Sequence, residues 1–296
     1  MSNRTLVLVS ALLILCTVVA PARSQTLLVS DFGDNTMDAI APDGTVSTFL
    51  PGIPNPAQMV YDSAGNLYVV NALSNDTITK IAPDKTTTIF ASGFDGAAGI
   101  ARDKNCVFYV VSSYNDSIFK VSSTGKPMLW VTDNLLALPQ WLAFDKEGNL
   151  YTSNSATGNG EIIKITPSGV QSVYASGLSL PQQMVFDSLD NLYVAEGNAG
   201  TIEEITPSGT ESTVVSGLSS PDALLRTDGG DFWVTSQTDH TVKEIVSGKV
   251  VRTVNGFGLA NGLIFQAVVP EPSSVVLLLV GGMGVVSMIV RRSRQR

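Results

Sequence analysis

Asp187-Ser188-Leu189-Asp190-Asn191-Leu192-Tyr193-Val194 is a phrase that the chain says repeatedly. It returns as Asp62…Asn66-Leu67-Tyr68-Val69 and as Asp145…Asn149-Leu150-Tyr151. Looser versions are Asp103…Val107-Phe108-Tyr109-Val110 and Asp228…Asp231-Phe232-Trp233-Val234. The aromatic member falls at 68, 109, 151, 193 and 233, and Leu28 fills the same slot in the opening segment. The steps between these positions are 40, 41, 42, 42 and 40 residues. A period of that size marks an array of supersecondary units, none of which buries its apolar face alone.

Each unit divides into four strand-like runs. In the fourth unit the pattern predicts strands at Gln140–Asp145, Asn149–Asn154, Glu161–Thr166 and Val170–Ala175. The first turn reads Asp-x-x-Gly-Asn, where Asp accepts backbone N–H groups and Gly or Asn tolerates positive φ. The second turn is rich in Asn and Asp, as in Ser74-Asn75-Asp76 and Thr238-Asp239-His240. The third is Pro-Asp-Gly or a near variant, such as Pro42-Asp43-Gly44 and Pro167-Ser168-Gly169. The second strand is apolar on both sides, Leu192 and Val194 facing one way and Tyr193 the other, so it is expected to be covered on both faces. A radial array of sheets supplies that double burial, and a stacked solenoid is the structural rival. Closure favours the ring. The chain opens on a second-strand phrase, Thr26–Asp31, and the domain ends on an unpaired first-strand phrase, Asn261–Phe265. Joined, they complete a blade and predict an all-β six-bladed propeller of four-stranded blades. The Asp-x-x-Gly-Asn-Leu-Tyr-Val and Ile-Thr-Pro-x-Gly phrases resemble NHL-repeat and gluconolactonase-like propellers across about residues 26–267. That resemblance implies a fold more than a function, since such propellers include lactonases, lyases and binding modules.

Both ends carry addresses. Arg4, the apolar run Leu6–Ala20 and small residues at Ala22 and Ser24 read as a signal peptide over 1–24, cleaved before Gln25, with an uncleaved anchor as the alternative. The propeller is assigned to 25–268 and a tail to 269–296. In the tail, Pro270, Glu271 and Pro272 precede an uncharged apolar segment, 274–290, and a basic end, 291–296, that begins Arg291-Arg292. That segment is long enough to cross a bilayer, and the arginines would stay cytoplasmic. The tail resembles the PEP-CTERM sorting signal of Gram-negative bacteria. The resemblance implies an exosortase as partner, membrane anchorage that is transient or permanent, and an envelope or extracellular destination. A permanent single-span anchor is the alternative.

Removing the two ends sharpens the charge: 12 Lys and Arg stand against 25 Asp and Glu between Gln25 and Val269, a net of −13. Such a domain repels phosphate backbones, so nucleic acid is excluded as a partner, and a cation, a polysaccharide or a protein ligand fits better. Cys16 lies in the leader, which leaves Cys106 alone in a turn slot and excludes an intrachain disulfide in the mature domain. A monomer is expected.

Two polar rings are expected to meet on the face where the second-to-third turns and the inter-blade links gather. First strands begin at Gln58, Gln140, Gln182, Asp222 and Asn261; second strands end at Asp31, Asn71, Ser112, Asn154, Glu196 and Ser236. Function is expected just beyond these second-strand ends, where the units differ. No cofactor is certain, but oxygen-rich clusters suit Ca²⁺ or another divalent cation. The gluconolactonase resemblance implies Asp222 and Asn261 as metal ligands, with Glu196 as a further candidate ligand, although Gln58 stands where that family's Glu is expected. His240, the sole histidine, is the candidate base if the chain resembles streptogramin lyases in chemistry. The leading reading is a non-enzymatic binding module; a metal-dependent lactonase and a lyase are the alternatives.

Overall fold

A computed structural model of the chain describes residues 25–73, 76–132, 135–155 and 160–267. Strands β1 (Leu27–Asp31), β2 (Thr36–Ile40) and β3 (Val46–Pro51) begin blade 1. Blade 2 is β4 (Pro56–Tyr61), β5 (Leu67–Asn71), β6 (Thr77–Ile81) and β7 (Thr87–Ser92). Blade 3 is β8 (Ala97–Arg102), β9 (Phe108–Ser112), β10 (Ser117–Val121) and β11 (Pro127–Thr132). Blade 4 is β12 (Pro139–Phe144), β13 (Leu150–Asn154), β14 (Gly160–Ile165) and β15 (Gln171–Leu178). Blade 5 is β16 (Pro181–Phe186), β17 (Leu192–Glu196), β18 (Thr201–Ile205) and β19 (Glu211–Val215). Blade 6 is β20 (Pro221–Arg226), β21 (Phe232–Ser236), β22 (Thr241–Val246) and β23 (Lys249–Val254). The last strand, β24 (Ala260–Phe265), then pairs antiparallel with β1 and completes blade 1, Leu27 opposite Phe265 and Val29 opposite Leu263. The structure is thus an all-β six-bladed propeller of four-stranded antiparallel blades. The predicted strands of the fourth unit sit within a residue of β12, β13 and β14, and β15 runs three residues farther than expected.

The leader 1–24 and the tail 269–296, with Pro270, Glu271, Pro272, Arg291 and Arg292, lie outside the described residues. Among the described residues no helix is long and apolar enough to cross a membrane.

The repeated phrase is a turn and a rivet. Asp62 Oδ1 accepts the N–H groups of Ala64 and Asn66, each at 2.9 Å. Its Oδ2 accepts from Asn66 Nδ2 at 2.7 Å and from the Tyr68 hydroxyl at 3.1 Å. Asp145 and Asp187 repeat the pattern with Asn149 and Tyr151, and with Asn191 and Tyr193. Burial alone would raise the Asp62 and Asp187 carboxyls, but the bonds from Asn66 and Asn191 outweigh it and hold both below the ordinary range. The turn's left-handed slot has φ of 80° at Gly65, 88° at Gly148 and 67° at Cys106. A non-glycine residue there costs backbone strain, so Cys106 sits where glycine is favoured.

Every second strand is buried along its whole length. Alternation sends its side chains into two different inter-blade layers: Leu192 and Val194 join one apolar cluster, Tyr193 and Ala195 another. The aromatic slot bridges blades. Tyr109 packs edge-on against Trp130 of its own outer strand and Phe144 of the next blade, and Tyr151 does the same with Tyr174 and Phe186. At the axis, adjacent inner strands approach where side chains vanish. A Cβ on Gly262 would lie 2.5 Å from the Ala57 carbonyl oxygen, and one on Gly99 would overlap that of Gln140.

Candidate functional site

A cavity of about 310 Å³ opens at one end of the central channel, and all six blades contribute to its lining. That volume lies near the lower end of the range of roughly 300–1,000 Å³ typical of small-ligand sites. Four of its polar groups begin the inner strands, Gln140 on β12, Gln182 on β16, Asp222 on β20 and Asn261 on β24, and Ser113 and Ser155 add to the lining just past the ends of β9 and β13. Gln237, one residue past the end of β21, joins them. Its apolar groups are Phe32, Leu73 and Tyr114, from the second-to-third hairpins of blades 1 to 3, with small alanines between. Trp141, next to Gln140 on blade 4, also lines the cavity.

The polar groups are held in place. Asp222 Oδ2 accepts from Gln237 Nε2 at 2.8 Å and from Asn261 Nδ2 at 3.1 Å. No donor among the described residues reaches its Oδ1. Burial pushes the Asp222 carboxyl up to about 7, against a smaller downward pull from the Gln237 bond. Near neutral pH this group therefore changes charge. Gln182 Oε1 accepts the Trp141 indole N–H at 3.2 Å. Tyr114 is 60% exposed, and its ring lies over Gly96, where a Cβ would sit 2.8 Å from the ring. Gly96 also has φ of +69°, so the platform under Tyr114 depends on glycine twice.

Gln58 does not hold the strand-entry slot expected of it: Ala57 is the residue of β4 equivalent to Gln140 and Asp222, and Gln58 does not line the cavity. It is buried one residue beyond Ala57, with Oε1 accepting from Ile100 N–H at 2.8 Å and Nε2 donating to the Leu142 carbonyl at 3.2 Å. One amide thus ties three consecutive inner strands together.

The second-strand ends serve the scaffold. Asn154 Oδ1 accepts the Ala137 N–H at 3.1 Å, and Glu196 Oε1 accepts the Ser179 N–H at 3.1 Å. Ser112 Oγ accepts the Asp95 N–H at 2.7 Å, and Ser236 donates to the Ser219 carbonyl. Asp31 reaches the link that closes the ring, accepting from Gly258 N–H at 2.6 Å and Leu259 N–H at 2.8 Å. Asn71 turns to its own blade, donating to Thr77 and Thr79 hydroxyls. Each strand end except Asn71 therefore locks the incoming inter-blade link.

The structure brings Asp222 and Asn261 together and leaves Glu196 on blade 5, outside the cavity, capping Ser179 and Thr201. Among the described residues no three His, Cys, Asp or Glu side chains form a group able to hold a metal ion. Asp222 alone supplies an anionic oxygen, and two N–H donors already occupy one of its oxygens. This donor set does not fit a tightly held divalent cation.

His240 is exposed and does not line the cavity. It has φ of 56°, as do its counterparts before the third strand: Asn35 at 57°, Asp76 at 43° and Asp116 at 46°. Those three side chains accept the N–H groups of Asn55, Ala97 and Leu138, at or just before the start of the next blade. His240 Nδ1 contacts the Gly258 carbonyl in the corresponding link. A carbonyl needs a donor, so Nδ1 carries the proton. His240 thus fills a structural slot.

The large side chains of the cavity beyond the named candidates are Phe32, Leu73, Tyr114, Trp141 and Gln237. Four of these lie one or two residues past second-strand ends, the stretch where the units diverge in sequence.

No sequence-family profile matches the chain, and no curated protein matches it. Solved structures do. A chain of a nidogen/laminin complex superposes with a TM-score of 0.73 at 17% identity, covering 82% of this chain and 98% of that one. Virginiamycin B lyase from Staphylococcus aureus gives 0.60 at 18% identity, with 79% and 85% covered. A streptogramin B lyase gives 0.63 at 15% identity, with 83% and 88% covered. These likenesses concern the fold. It is shared by a protein crystallised with a protein partner and by enzymes.

Proposed function

We propose that the chain is an exported, exosortase-sorted propeller that acts as a binding module of the cell envelope or extracellular matrix. The cavity at the channel mouth engages a polysaccharide or protein ligand. One observation carries this reading: four amide side chains of the mouth surround a single carboxyl, and two of them, Gln237 and Asn261, are fixed to it by hydrogen bonds. His240 and Glu196, the residues chemistry would have needed, are engaged in the scaffold instead. Rigid amides and an aromatic platform suit recognition, because little side-chain entropy remains to be lost on binding. The similar chain in the nidogen/laminin complex is a precedent for this scaffold in binding. The Pro270-Glu271-Pro272 motif, the apolar segment and the arginine end support the sorting part of the proposal.

The test is retention. Wild-type protein, a Tyr114→Ala/Gln237→Ala double variant and a chain lacking 270–296 are expressed in a bacterium with an exosortase, and envelope, matrix and medium are assayed. The double variant should be exported and folded yet wash into the medium, while tail removal should alter surface delivery. Equal retention of wild type and double variant would overturn binding through the cavity. Unchanged distribution without the tail would overturn sorting.

A further inference from the structure

We infer that the cavity takes an uncharged pyranose unit of a saccharide chain, held edge-on to the amide side and face-on to the aromatic side. This rests on the binding-module reading and names the ligand class for that same site.

The lining is two-sided. Phe32, Leu73 and Tyr114 form an apolar arc on blades 1 to 3, and Leu73 and Tyr114 are 47% and 60% exposed. Facing it are Gln140, Gln182, Gln237 and Asn261 with Asp222. A purely apolar ligand would strip water from the donor and acceptor sites that these groups leave unpaired, Asp222 Oδ1 among them, and each orphaned site opposes binding. A purely polar ligand would waste the aromatic side. An anionic ligand meets no Lys, Arg or His in the lining and stands beside Asp222 in a domain of net charge −13, counted over Gln25–Val269 as 12 basic against 25 acidic residues.

A pyranose ring has the matching anatomy. Its axial C–H groups present an apolar face to the electron-rich face of an aromatic ring. Its hydroxyls donate and accept at once, as primary amides do. Asp222 Oδ1, to which no described residue donates, is an acceptor for one of those hydroxyls, while Oδ2 stays with Gln237 and Asn261. Trp141 reports on the site, since its indole N–H is bound to the cavity-lining Gln182.

The test uses the full-length chain with ¹⁵N-labelled tryptophan in mild detergent. Its three indole N–H signals, from Trp130, Trp141 and Trp233, are assigned by single Trp→Phe variants. Probes are methyl β-glucoside, methyl β-galactoside, methyl α-mannoside, glucuronate and glucosamine at millimolar concentrations. The expected result is a saturable shift of the Trp141 signal with at least one neutral glycoside, and none with glucuronate. Tyr114→Ala should weaken that binding about 2- to 10-fold with the other two indole signals unmoved. A stronger response to glucosamine that vanishes in Asp222→Asn would overturn the uncharged class in favour of an amine. A response to glucuronate would overturn it in favour of an anion. Silence to every probe would overturn the sugar assignment alone, because the binding-module reading stands or falls separately on retention of the double variant.

Discussion

Asp31 offers a direct measure of what closes the ring. Its carboxylate is fully buried and accepts four backbone N–H groups: Gly258 and Leu259 from the closing link, and Gly33 and Asp34 at 3.1 and 3.2 Å from its own hairpin. Oδ1 serves Leu259, Gly33 and Asp34, and Oδ2 serves Gly258 alone. In Asp31→Asn the remaining oxygen can keep the first three, but the new amide faces the Gly258 N–H and orphans one donor. An orphaned buried donor costs about 1–3 kcal/mol. In Asp31→Ala all four are released. Gly33 and Asp34 lie in an exposed hairpin and can turn to water, which leaves the Gly258 and Leu259 donors as the costly pair. Two such donors give about 2–6 kcal/mol. Alanine should therefore destabilise about twice as much as asparagine, read as midpoint shifts in urea unfolding at constant slope. Ser236→Ala, at the same slot of blade 6, loses one bond to the Ser219 carbonyl and should cost about 1 kcal/mol. If Asn cost as much as Ala, or if Ala cost no more than Ser236→Ala, the link-locking role of this position would be refuted.

Asp222 predicts a pH effect of opposite sign to the usual carboxylate. Its carboxyl rises from 3.8 to about 7 on folding, so the native state binds more protons and stability falls as pH climbs between those values, by up to about 4 kcal/mol. Subtracting the stability–pH curve of Asp222→Asn from wild type should isolate that slope, and parallel curves would contradict it. Gly99→Ala forces a Cβ against the Gln140 carbonyl where inner strands meet, so it should destabilise by about 1–3 kcal/mol in thermal melts, whereas Gly209→Ala meets no atom within 4 Å and bears only its φ of +81°. His240→Asn keeps a residue suited to φ of 56° and should change stability by less than about 0.5 kcal/mol. His240→Val should cost about 1–2 kcal/mol at the same φ, and equal melting points for the two would argue against the turn role.

The ring was legible because its determinants are local and repeated. The phrase brings its own turn and its own buried strand five times over, and in four of them a tyrosine hydroxyl ties the two, so the repetition averages out the exceptions. Closure was legible too, since Thr26–Asp31 and Asn261–Phe265 each lack the partner that the other supplies. The candidate site was legible only in half. Strand starts such as Asp222 and Asn261 follow from the register, and the cavity lies where they predict. The convergence of Asp31, Asn154 and Glu196 on a second ring did not appear. Period alone places these ends on the right face, but whether a side chain turns to the axis or back to a link depends on donors in the link backbone, such as Ala137 and Ser179 N–H. Phe32, Leu73 and Tyr114 lie in the stretch just beyond the second-strand ends where function was expected, but they were not named, because which residue of a hairpin reaches the cavity depends on the shape of that hairpin and not on the period. Also unseen was the cation stacked on the aromatic slot: Lys120 over Tyr109 and Lys164 over Tyr151 come from directly opposed residues of the third strand.

The pairing of β1 with β24 sets a clock. β1 is the earliest strand of the ring among the described residues, and its inner edge stays open until Phe265 exists, 234 residues after Asp31. At translation rates of about 5–20 residues per second that wait is roughly 10–50 s. Through it, an apolar strand edge is available to any other unpaired strand. Blades 2 to 6 can meanwhile form in order from neighbouring segments, so the slow and vulnerable step is the long-range splice. A pulse-labelled nascent chain should accordingly gain protease resistance in its first blade last.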